Sequence, residues 1–190
     1  MGDIIGFNDL FSSVFETSTF RDMDVMIDRV LKGTTSTVAV VFDIKCLTRP
    51  YTTTLDRDSM DLYTRVQSQG IVTYILSWEP NTPENVAKET ALLTSLGVAD
   101  PIVILRDVDA CPIRKKDLSW NAQLAAYNLS RVPNDRKVIM NVGRMWVDVL
   151  PPDLTDDCLP STIADKHMLA YHTKTATWCL RMSPSRVSDV

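Results

Sequence analysis

The side chains best placed for chemistry in this sequence stand just after its apolar runs. Asp43 follows Val38–Phe42, with Lys45 two residues on, and Ser77 follows Tyr74–Leu76. Arg144 follows Gly143 with Asp148 further along the same turn. A hydroxyl and cations at one edge (Ser77, Lys45 and Arg144) are groups that hold an anion through charge-assisted hydrogen bonds. For Asp43 the plain alternative is a strand-end carboxylate that accepts backbone hydrogen bonds. Other chemistries have less to stand on. His167 and His172 lie in a polar stretch with no carboxylate or cysteine at ligand spacing, so surface histidines are expected rather than a metal site. Cys46, Cys111, Cys158 and Cys179 form no CxxC pair, which points to buried free thiols. The six glycines build neither a GxGxxG nor a P-loop, which argues against a dinucleotide or Walker-type nucleotide site.

Those positions gain meaning from the elements that must carry them. Thr37–Phe42, Ile71–Leu76, Pro101–Leu105 and Lys137–Val142 read as continuous apolar strands covered on both faces. Between them, Asp56–Gln69, Pro83–Leu96 and Asp117–Ser130 read as helices, with Thr82-Pro83 as a cap and first turn and with Gly70 and Gly97 as stops. Such alternation predicts an α/β three-layer sandwich around a mostly parallel sheet, whose ligands bind beyond the carboxyl ends of the strands. Ahead of it, Phe7, Leu10, Phe11, Val14 and Phe15, and then Met23, Met26, Ile27, Val30 and Leu31, fall at helical spacing. Residues 1–32 therefore read as a helical segment and 33–190 as the α/β body of a single domain. Phe7, Phe11 and Phe15 are candidates either for the core or for a protein-docking face. After Val149 the prolines at 151, 152 and 160 suggest a loop before a late strand near Thr175–Met182.

Composition narrows the classes. The chain has 190 residues, 45% hydrophobic and 23% charged, enough for one sizeable core. A formal net charge of -4 provides no global positive field, so nucleic acid is a poor partner. The apolar runs fall far short of the roughly 20 residues a membrane-spanning helix needs. The start, Met1-Gly2-Asp3-Ile4, has no basic n-region, and a location inside a cell or a particle is expected.

Taken together, Val38-Ala39-Val40-Val41-Phe42-Asp43-Ile44-Lys45-Cys46-Leu47, Ser77, Lys115 or Lys116, and Gly143-Arg144-Met145-Trp146-Val147-Asp148 resemble, in order and spacing, the four motifs of the haloacid dehalogenase superfamily. The nearest branch is that of acid phosphatases and plant vegetative storage proteins. The resemblance implies a fold without a large cap, because a helical segment opens at Asp56, close behind Asp43. It also implies roles. Asp43 would be the nucleophile toward phosphorus, Ser77 and Lys116 would hold the transferring oxygens, and acids of the first and fourth motifs, here Asp43 and Asp148, would hold magnesium.

The departures decide the expectation. The family's general acid is replaced by Lys45, its Thr by Leu47, and the first acid of the fourth motif by Arg144. Cations repel a divalent metal, and the lost carboxylates were its hard oxygen ligands. Trp78 and Trp146 also stand where the family has small neighbours. Two accounts stay open: Lys45 and Arg144 balance Asp43 and Asp148 in an inert fold, or the edge binds an anion through Lys45, Arg144, Ser77 and Lys116 without turnover. The expected function is a pseudophosphatase without cofactor, acting as a structural or interaction subunit with protein partners in a cellular complex or virus particle. The alternative is a phosphomonoesterase or small-anion module using Asp43 and Ser77, with magnesium only if that residual site is active.

Overall fold

The computed structural model describes residues 11–34, 37–48, 54–106, 136–144, 166–173 and 175–183. Phe7, Lys115, Lys116, the segment Asp117–Ser130, Trp146 and Asp148 lie outside the described residues.

Among the described residues the sheet has seven strands: β1 (Phe11–Thr17), β2 (Val38–Asp43), β3 (Val72–Pro80), β4 (Ile102–Arg106), β5 (Lys137–Gly143), β6 (His167–His172) and β7 (Thr177–Arg181), in the order β1-β6-β7-β5-β2-β3-β4. From β4 through β3, β2 and β5 to β7 the neighbours run parallel, while β6 and β1 are added antiparallel at one edge. Four described helices accompany it: α1 (Phe20–Leu31), α2 (Ile44–Leu47), α3 (Arg57–Ser68) and α4 (Pro83–Ser95).

The alternation read from the sequence holds where apolar runs are continuous. In β2 every residue after Val38 is buried, and Asp43 ends the strand by capping α2. Thr82 caps α4 ahead of Pro83, accepting a hydrogen bond from the Asn85 amide at 3.2 Å. Gly70 and Gly97 follow α3 and α4 at φ of 74° and 91°, the left-handed conformation that a helix stop requires.

All four described helices feed one apolar cluster. Met23, Ile27 and Leu31 of α1 and Leu62 and Val66 of α3 meet Val40 and Phe42 of β2 there, and the ring of Phe42 packs edge-on to Tyr63 at 5.3 Å. A second cluster, Ala39, Val41, Tyr74 and Leu76, occupies the other side of β2 and β3. The central strands are thus buried on both faces, as continuous apolar runs require.

Two expectations for the flanks are corrected. The stripe containing Phe11, Val14 and Phe15 is strand β1, not a helix. It pairs with β6, where Phe15 lies opposite Leu169 and packs on the main core. An extra residue between Ser12 and Phe15, with Ser13 at φ 54°, interrupts the two-residue alternation and leaves a spacing that imitates a helix. The late strand exists as β7, but β6 before it was not anticipated, and the two form an antiparallel pair.

Candidate functional site at the carboxyl edge of the sheet

β2 is central, with β3 on one side and β5 on the other. Asp43 lies opposite Leu76, which puts Ser77 one step further along β3, and Phe42 lies opposite Val142, which puts Gly143 and Arg144 at the same edge. The strands therefore bring together three of the candidates, Asp43, Ser77 and Arg144, with Lys45 just beyond in α2.

Each of them is engaged with the chain itself. Asp43 is buried, and its carboxylate accepts the Lys45 amide at 2.8 Å, the contact that starts α2. This is the backbone-capping behaviour open to any strand-end aspartate. Ser77 is also buried, and its hydroxyl accepts the Glu79 amide at 3.4 Å. Lys45 is exposed and places its ammonium over the indole of Trp78, 5.6 Å from the ring centroid, a cation–π contact. The Trp78 carbonyl accepts from Arg106 Nε at 3.0 Å, so the end of β4 braces the same tryptophan.

Arg144 is the hub of this edge. Its side chain is only 10% exposed. Nε donates to the Lys45 carbonyl, and Nη2 donates to the carbonyls of Thr48 at 2.8 Å and Cys46 at 3.4 Å. Nη2 also stands 3.4 Å from the carboxylate of Asp56, which is 0% exposed. Asp56 in turn caps α3, accepting from the amide and hydroxyl of Ser59 at 3.1 and 2.9 Å. A planar guanidinium with five donors suits such a cluster of converging oxygens, where a point-charge ammonium would not.

Of the expected pairing of Lys45 and Arg144 with Asp43 and Asp148, Asp148 lies outside the described residues; among those described, Arg144 pairs with Asp56, and Lys45 rests on Trp78. The physical reason is the short helix α2. It turns the carbonyls of Lys45, Cys46 and Thr48 toward the end of β5, and Arg144 is the donor within reach. As an anion-binding candidate Arg144 turns Nε and Nη2 to these internal oxygens, and its buried Nη1 has no hydrogen-bond partner among the described residues. Lys45 alone among the described candidates is exposed.

Asp56 is the site residue that sequence reasoning missed. Its signal was present as Asp56-Arg57-Asp58-Ser59, a cap followed three residues later by a hydrogen-bonding side chain, but it announced only a helix start. Beneath it, Cys46 Sγ meets Ser59 Oγ at 3.3 Å, and burial pushes the Cys46 thiol up to about 12. Cys179 is likewise a buried thiol raised to about 12 by burial, and burial favours the neutral thiol over the nucleophilic thiolate in both.

Of the two acids that the family resemblance assigns to magnesium, Asp43 caps α2 and Asp148 lies outside the described residues. Among the described residues no group of three or more His, Cys, Asp or Glu could hold a metal ion. At this edge a buried guanidinium stands among the oxygens, and Asp43 is turned to its own helix. The histidines, expected at the surface, are instead buried. His167 is 4% and His172 2% exposed, because β6 lies inside the sheet between β1 and β7.

No helix among the described residues is long and apolar enough to cross a membrane. No protein-family model matches the chain, and no curated protein matches it.

Proposed function

We propose that this chain is a catalytically degenerate haloacid dehalogenase-like domain, a three-layer sandwich without a large cap, that serves as a structural or interaction subunit rather than as a phosphatase. The observation that carries the reading is the engagement of Arg144. The cation standing where the family places an acid is bound to three backbone carbonyls and a buried carboxylate, so it stabilises the fold instead of the chemistry. In support of the family itself, the strand ending at Asp43 is central and has the strands of Ser77 and Gly143 as its neighbours, the arrangement that the motif chemistry demands. Fold alone carries no activity, and here the residues of the edge argue against one.

A second reading keeps a residual anion site. It is favoured by Asp43 and Ser77 lying one register step apart, both buried, with the exposed Lys45 two residues beyond Asp43. Steady-state assay of a generic phosphomonoester with and without magnesium separates the two. No turnover above buffer is expected in either condition. Magnesium-dependent hydrolysis that disappears in Asp43→Asn would restore the enzyme. For the subunit role, cross-linking in the native source is expected to join the chain to another protein, and a chain recovered only as a free monomer argues against it.

A further inference from the structure

We propose that His167 is an acid-sensitive latch that fastens β1 and the chain leaving β7 to the sheet. It opens β6 and lies opposite Thr17, the last residue of β1, in the antiparallel ladder. Its ring meets the first residue of α1, Phe20, edge-on at 5.9 Å. Its Nδ1 accepts the backbone amide of Ser183, just past the end of β7, at 3.2 Å. One buried imidazole therefore joins the end of one segment, the start of a helix and the exit of a strand that are far apart in sequence.

The amide of Ser183 fixes the chemistry of the ring. A backbone N–H can only donate, so Nδ1 must be unprotonated and Nε2 carries the hydrogen. Protonation of Nδ1 would set two donors against each other in a site closed to water, and a buried acceptor would be lost. Among the described residues, the charged groups around the ring are Asp56 from the start of α3 and Arg181 from β7. Beyond them, Lys166 and Glu16 pair at 3.7 Å between β1 and the residue before β6, while Thr17 and Phe20 bring no charge. Burial holds the imidazole below its ordinary value of 6.5, Asp56 draws it up, and Arg181 opposes that. Asp56 already serves Ser59 through one oxygen and Arg144 through the other, so it offers an imidazolium limited compensation.

His172, at the other end of β6, supplies an internal control. Its Nδ1 is held by the amide and hydroxyl of Thr175, at 3.2 and 2.7 Å, within its own turn. Loss of that contact would loosen a hairpin turn and leave the junction at His167 in place. The latch is independent of whether the carboxyl edge is catalytic.

Hydrogen exchange of the full chain, followed as protection factors from about pH 7.5 to about pH 5, tests it across the range where histidine titrates. In the wild type the amides of Ser183 and of β1 are expected to lose roughly tenfold protection on acidification, the scale of one lost buried acceptor, and to regain it on return. Protection in β2 and β3 should stay unchanged. His167→Asn, whose amide oxygen can accept at every pH, should hold protection constant, and His172→Asn should respond like the wild type. An unchanged wild type, or the same loss in wild type and His167→Asn, overturns the proposal. Should the variant fold poorly, ¹⁵N shifts of the wild-type imidazole decide instead: a bare Nδ1 at neutral pH is expected, and a hydrogen on Nδ1 overturns the latch.

Discussion

The carboxyl edge of β2, β3 and β5 and the antiparallel flank of β6 and β1 both bury polar side chains, but they do so in different ways. At the edge, a guanidinium whose own charge no ordinary pH alters donates to backbone carbonyls and stands beside the Asp56 carboxylate. On the flank, a neutral imidazole accepts a single backbone amide and depends on remaining neutral. The same need, satisfying buried polar groups, is thus met once by a fixed charge and once by a titratable group. The edge should be insensitive to acid in the range where the flank is not.

The largest effect separating the two regions is expected from Arg144→Ala. It takes the guanidinium away from the buried carboxylate of Asp56, and should cost about 3–5 kcal/mol in chemical denaturation. Adding Asp56→Asn, which removes that buried charge while keeping a capping oxygen, should recover part of the loss. Strict additivity of the two changes would break the claim that they form one unit.

Acid should act next, and on the flank. Because burial depresses His167 in the folded chain, its contribution to stability is complete above pH 6.5, where both states are neutral. It is lost as pH falls from there toward the folded-state value, since the unfolded chain takes the proton first. The difference in unfolding free energy between wild type and His167→Asn should therefore shift against the wild type as pH falls below 6.5. A constant difference across that range would remove the contrast between the regions.

The smallest effect belongs to Lys45. Its contact with Trp78 is an exposed cation–π pair, so Lys45→Ala should change stability by no more than about 0.5–1 kcal/mol. A loss as large as that of Arg144→Ala would mean that the edge is organised around Lys45 instead.

How much was legible in the sequence follows the same division. The parallel core was readable because strands covered on both faces are continuous apolar runs, and Thr82-Pro83, Gly70 and Gly97 punctuate the helices between them. Asp43, Ser77 and Arg144 were found because strand ends in such sheets converge. What those side chains bond to was not readable, since α2 is four residues long and leaves no periodic pattern. The flank misled in two places. A bulge at Ser12–Phe15 turned a strand into an apparent helix, and His167-Met168-Leu169-Ala170-Tyr171-His172 has polar ends whose burial depends on the distant partners β1 and β7.

Thermal unfolding with and without magnesium and inorganic phosphate tests most directly whether the carboxyl edge has been given over to structure. Any ligand that binds the folded chain raises its melting temperature by mass action. With Arg144 tied to Asp56 and Asp43 tied to its own helix, the wild type should melt at the same temperature in all conditions. An upward shift with magnesium and phosphate together that vanishes in Asp43→Asn would contradict this and return the edge to binding or catalysis.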